Sequence, residues 1–341
     1  MSTTAGVWSE TTLNALRVKM SEMMLDSRVK LQYQPKIDAL KTLAQATTAK
    51  FAPLSAREKD YDVELEWINV CRDGVEAFTS CVFGGAKAST NIKKYNLTYD
   101  KMFRFSIDEA DFTNNDFDFA EVMAKQMLKG DVELMEAFAG YFITFLNANR
   151  GNDLFTTGAY YCATGDAHIP ALNWNANLMA YILMMSKINQ FSNPLLLDGG
   201  LLYQAWALAN FNAGNADGKG AAAMFAGMNI NFDLFNPAVI NGDILTDYLI
   251  ETGAVSWANK VYHAAGAPTI NQDGLIKFSQ PSKFGAILPL NYDVVLKPAC
   301  ADNNLTKYDV TMRLKADIFA NPTGCDANNT GILTLECGTC P

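Results

Sequence analysis

Residues 116–147 read DFDFAEVMAKQMLKGDVELMEAFAGYFITFLN. Asp116 and Asp118 suit a helix N-terminus, where the backbone dipole favours carboxylates. Phe119, Val122, Met123, Met127, Met135, Phe138, Phe142 and Phe145 then recur along roughly one side, and Asn147 to Gly151 closes the pattern. About 30 residues rising about 1.5 Å each make a rod of about 45 Å, long for a helix in a globular domain. Gly130 and Gly140 inside it mark kinks or points of close packing.

Upstream of the rod the period changes to two. In Tyr61-Asp62-Val63-Glu64-Leu65-Glu66-Trp67 the odd positions are apolar and the even ones charged, as a strand with one covered face requires. Asp73-Gly74 marks a turn, and the small residues from Gly84-Gly85 to Thr90 read as a flexible tip. Alternation returns in Tyr95, Leu97, Tyr99, Phe103, Phe105 and Ile107, which makes this a long β excursion. Ahead of it, residues 9–52 have helical spacing (Leu13, Leu16, Met20, Met24), divided by Pro35 and ended by Pro53. That arm has too narrow an apolar stripe to fold alone.

Downstream, residues 165–265 alternate types. Leu172 to Phe191 reads as an apolar helix, Leu195-Leu196-Leu197 as a short buried strand, and Asp198-Gly199-Gly200 as the turn into another helix. Ala213 to Gly227 is a Gly/Ala/Asn-rich loop, and Met228 to Phe235 is strand-like. The last quarter is β-rich. Pro289 to Leu296 is one strand, Tyr308, Val310, Met312, Leu314 and Ala316 alternate with polar neighbours in a second, and Ile332 to Leu335 suit a third. The fold class is therefore α+β.

The chain has 341 residues, 49% hydrophobic and only 18% charged. The charged share is low against roughly 25% for an ordinary protein, so extensive contact between subunits is expected. No apolar run reaches the roughly 18 residues of a membrane span, and residues 1–6 lack the basic start and apolar stretch of a secretory signal. Synthesis in a cytoplasm is the expectation. A net charge of −9 argues against a dedicated nucleic-acid reader. Between Arg17 and Lys50, however, seven cations face three carboxylates, a local +4. It reads as a solvated helix face or as an arm facing a polyanion.

Candidate chemistry is sparse. The two histidines, His168 and His263, lack the i, i+4 partner of a helix-borne zinc site, and there is no G-x-S-x-G elbow. The run from Gly214 through Gly218 to Gly220 lacks the spacing and the Ser or Thr of a phosphate loop. Seven cysteines remain, four of them (Cys300, Cys325, Cys337, Cys340) near the C-terminus, which ends CGTCP. A zinc site would need all four thiolates in a tetrahedron, but only one close pair is present. A redox C-x-x-C belongs at a helix N-terminus, whereas this one follows a strand. Inert thiols, or disulfides formed outside a reducing cytoplasm, are the remaining readings. Cys337 or Cys340 would then fasten Cys325, Cys300 or a neighbour, and Cys71 and Cys81, flanking the Asp73-Gly74 turn, form a second candidate pair.

The order of elements resembles the major capsid proteins of tailed bacteriophages, the Hong Kong ninety-seven-type fold also seen in encapsulin shells. The resemblance covers nearly the whole chain, including Asp62 to Cys71 leading into the loop and Gly274 to Phe278 ahead of Pro289 to Leu296. It implies an N-terminal helical arm (1–58), an extended β loop (59–110), and a spine helix with the peripheral domain (111–165). It further implies a mixed α/β axial domain (166–265), then peripheral return strands and a tail (266–341). By resemblance the chain is a non-catalytic virion component, made in a host cytoplasm and needing no cofactor. It would assemble as pentamers and hexamers into an icosahedral shell around double-stranded DNA, with other capsid or portal proteins as partners and no membrane contact. Another virion component, such as a tail or a differently folded coat protein, and an encapsulin-like compartment are the alternatives. The resemblance turns Arg17, Lys19, Arg28 and Lys30 toward packaged DNA in weak, salt-dependent contact. It makes Gly84, Gly85, Gly214 and Gly218 joints that absorb five-fold and six-fold environments.

Overall fold

The computed structural model describes residues 10–25, 35–47, 62–68, 90–108, 119–175, 177–203, 207, 228–234, 238–240, 244–263, 268–270, 274–300, 306–320 and 330–340. The rod is one unbroken helix, α3, Phe119–Ala148, preceded by α1, Glu10–Leu25, and α2, Ala39–Ala46. A shorter helix, α4, spans Leu178–Ile188 after a single 3-10 turn at Ala171–Asn173. The sequence reading began that helix at Leu172; Asn173 and Asn175 hold a turn there instead, and Asn175 Oδ1 accepts the Asn177 N–H.

Two sheets flank the spine. The first contains β3 (Tyr99–Asp108), β9 (Val255–Lys260), β10 (Thr269–Ile270), β11 (Ile276–Pro281), β12 (Asn291–Cys300) and β13 (Thr306–Ala320). Its order is β10-β11-β12-β13-β3, all antiparallel, and β9 also pairs with β13. One edge of β13 carries β3 along 307–316, while β12 pairs with residues 306–313 and β9 with 315–320. The alternation in β13 sets its face: Tyr308, Val310, Met312, Leu314 and Ala316 are buried, and the residues between them are half-exposed.

The spine crosses that buried face. A Cβ at Gly130 would lie 2.6 Å from both Met312 Sδ and Phe103 Cδ1, so this glycine lets helix and sheet side chains approach closely. Gly140 faces open space and neither breaks the helix nor packs. In the same core α1 lays down Leu16 and Met20, and α2 buries Ala39, Leu40, Leu43 and Ala46. Each large side chain so buried contributes about 1.5–3 kcal/mol.

The second sheet runs β4 (Ala167–Ile169), β14 (Ile332–Cys337), β8 (Ile244–Glu251), β5 (Pro194–Asp198), β6 (Asn229–Phe232), with β7 (Ala238–Ile240) also on β8. β4–β14 and β5–β6 are parallel, and the remaining pairs antiparallel. Helix α4 covers one face of it, where Leu178, Met179, Ile182 and Met185 meet Leu196, Leu249, Leu333 and Leu335.

The last strand, β14, lies between β4 and β8 in the second sheet, while β9 joins β13 in the first. Period-two alternation fixes which face a strand buries, not which strand it lies beside.

Candidate assembly elements and buried clusters

Strands β1 (Asp62–Ile68) and β2 (Thr90–Asn96) pair antiparallel in a register running from Asp62–Asn96 to Ile68–Thr90. Among the described residues this ribbon joins neither larger sheet. It runs directly into β3 through Leu97-Thr98, and that junction is pinned. Asp317 Oδ2 accepts the Thr98 N–H at 2.6 Å and its hydroxyl at 2.7 Å, while Oδ1 accepts the Tyr141 hydroxyl of the spine at 2.6 Å. On its other side β3 is an edge strand among the described residues. Cys71, Cys81, Gly84, Gly85, Gly214 and Gly218 lie outside the described residues.

The arm is latched by a polar cluster on the spine. Asp131, 1% exposed, accepts the Ser282 hydroxyl at 2.8 Å and the Lys283 N–H at 2.7 Å. Lys283 Nζ then donates to the Arg17 carbonyl at 2.8 Å and to Ser21 Oγ at 2.9 Å, which ties the middle of α1 to this cluster. Arg17 bonds Asn14 through Nη1, and its Nε is buried, so part of this guanidinium faces the body of the chain. Lys19 is half-exposed, and Arg28 and Lys30 lie outside the described residues.

Burial pushes Asp131 up to about 6, against the lowering pull of the Lys283 N–H, the Ser282 hydroxyl and the Lys283 ammonium. The folded chain thus binds more protons here than the unfolded chain between about pH 4 and 6. The stability this carboxyl contributes is complete below about 4 and is lost as pH rises through 6, about 3 kcal/mol in all. Asp131→Asn is expected to flatten the fall in unfolding free energy between pH 4 and 7 by that order. A denaturant titration at each pH reads it, and an unchanged slope would count against it.

The chain's end forms a second cluster. Glu336 on β14 is 3% exposed, with Oε1 2.9 Å from Arg150 Nη1 and Oε2 3.3 Å from His168 Nε2. Asp166 lies 3.5 Å from the same guanidinium and accepts the Thr334 hydroxyl at 2.9 Å. Tyr248 donates to Asn147 alongside, and burial raises its phenol well above the usual range. On the opposite face of β14, burial and then the charge of Asp198 hold Asp247 well above the carboxylate range. Asp198 itself accepts the N–H groups of Gly200, Leu202 and Tyr203, which fixes the turn after β5.

The cysteines differ from the expectation. Cys340 is disulfide-bonded to Cys162, a residue not singled out from the sequence, with Cα atoms 5.6 Å apart. Cys337 is unbonded and half-buried against the α4 core. A bonded Cys340 supplies no thiolate, so the four-cysteine zinc arrangement does not form. Cys325 lies outside the described residues, as does the side chain of Cys300. Spacing pointed to Cys340 but not to its partner, because Cys162 precedes it by 178 positions.

No family model matches the chain, and no curated protein does. Among solved structures, the capsid of a native GTA particle is similar at 9% identity and a TM-score of 0.48, over 88% of this chain and 91% of that one. The mature capsid of bacteriophage PhiM1 is similar at 9% identity and a TM-score of 0.47, over 88% and 87%. A chain of Mycobacterium phage Che8 gives 11% identity and a TM-score of 0.46, over 81% and 85%.

Proposed function

We propose that the chain is a shell-forming structural subunit that self-assembles, as pentamers and hexamers, into an icosahedral capsid around double-stranded DNA. The observation that carries this reading is the β1–β2 ribbon. Among the described residues it pairs only with itself, and an isolated two-stranded ribbon is marginally stable at best in water. A second copy of the chain supplies the missing surface. The 18% charged fraction supports the same reading, since a subunit touching several neighbours keeps little charged surface.

In this reading the α1–α2 arm is clamped to the spine, and the pinned Thr98 junction sets the angle at which the ribbon leaves the subunit. The spine and first sheet form a rigid plate. Contact with DNA is weak and independent of sequence, made by half-exposed arm lysines such as Lys19. Size exclusion and negative-stain microscopy of the expressed protein are expected to show closed particles, or free hexamers and pentamers. A discrete monomer of 37.4 kDa at high concentration overturns the reading. Nucleic acid inside the particle, rather than protein cargo, is the expected content.

A further inference from the structure

The loop after the spine and the last strand bring carboxylates together in excess of their counter-charges. Asp166, His168 and Glu336 are each buried, and one ligand atom from each lies within 4.8 Å of the others. Arg150 is the cation beside them, and it reaches in from the solvent side with its side chain 37% exposed. Asp153, 2% exposed, is a further buried carboxylate on the loop between the spine and β4. Its Oδ1 accepts the Phe155 N–H and the Asn189 side-chain amide, but its Oδ2 is buried without a hydrogen-bond partner. After burial, the charge of Asp166 is what raises the Asp153 carboxyl, so the two groups feel each other. His168 Nδ1 is also buried without a partner.

Asp166 and Glu336 thus share a single guanidinium, which itself reaches in from solvent. Buried carboxylates are costly unless paired, and a divalent cation pairs with both at once. We propose that Asp166, His168 and Glu336 form a divalent transition-metal site, with Arg150 as the counter-ion that the metal displaces. One imidazole nitrogen and two carboxylate oxygens make a zinc-type donor set with a fourth position open. Calcium and magnesium, which take oxygen ligands, fit it less well. Ligand atoms around a tetrahedral zinc lie about 3.3 Å apart, so the present spread closes by side-chain rotation once Arg150 swings out to solvent. Asp166 and His168 stand at β4 and Glu336 on β14. The ion would therefore staple the chain's last strand to the second sheet, close to the Cys162–Cys340 bond.

The test uses the full-length protein, stripped with a chelator and titrated with zinc chloride by calorimetry and thermal unfolding. One zinc per chain and a rise of a few degrees in the unfolding midpoint are expected, with no comparable rise from magnesium or calcium. Glu336→Gln and His168→Gln are each expected to weaken binding tenfold or more. Arg150→Gln removes the competing cation and is expected to tighten it, which keeps the proposal testable should a ligand variant fail to fold. Absence of stoichiometric binding overturns the site, as does weaker binding in Arg150→Gln. Loss of binding on Cys337→Ser would assign the ion to thiols and overturn it equally. None of these readouts depends on particle formation, so the site and the shell reading fail independently.

Discussion

Cys340→Ser is expected to lower the unfolding free energy of the oxidised protein by about 3–5 kcal/mol and to change nothing once a reductant is present. The bond joins positions 178 residues apart. Releasing a loop of that length restores chain entropy to the unfolded state worth about 5 kcal/mol in the loop-closure account, against about 2–4 kcal/mol for typical bridges. Cys162→Ser should give the same loss, and the double variant no more than either alone, because both remove one bond. Cys337→Ser should leave the oxidised protein unaffected in this respect. Denaturant curves with and without reductant separate these outcomes; a loss in Cys340→Ser that persists under reduction would mean the thiol acts through packing. Because reducing conditions keep thiols apart, the bond tightens the chain only under oxidising ones. It then locks a tail whose strand β14 already lies between β4 and β8.

The legible parts of the fold were those written as local periodicity. The spine, the ribbon's first strand and the inward face of β13 follow from spacings of three to four and of two. Which strands lie side by side was not legible, and β9 and β14 are the examples: both alternate well enough to be strands, and neither carries a mark of its neighbour. The buried clusters were hidden for a related reason. Asp131 interrupts an apolar stripe, and Glu336 and Asp247 sit in strands otherwise rich in Leu and Ile. A carboxylate placed there signals a buried partner, but Ser282 and Lys283 stand about 150 positions from Asp131, and Arg150 stands 186 from Glu336. His168 has no i, i+4 partner in the sequence; it stands beside Glu336 because β4 and β14 pair with His168 opposite Glu336.

Phe138→Ala is expected to cost about 3–5 kcal/mol, which in a protein with a net stability of about 5–15 kcal/mol removes a large part of the whole. Phe138 is fully buried in the spine, its ring centroid 5.2 Å from that of Tyr99 in an edge-on contact and 6.1 Å from that of Tyr141. Tyr99 begins β3 just after the Thr98 junction, and Tyr141 donates to the Asp317 carboxylate that holds that junction. The cavity therefore opens under the point where the ribbon leaves the subunit. Phe138→Leu keeps most of the volume and should cost less than half as much. The spine cannot collapse to fill the gap, because Gly130 already brings it against Met312 and Phe103. Chemical denaturation of the dissociated subunit measures the loss, and a cost near that of Phe138→Leu would show that the site relaxes. If the shell reading holds, assembly yield should fall further in Phe138→Ala than its folded fraction alone accounts for, since the ribbon's exit angle is set at Thr98 by groups that rest on this ring.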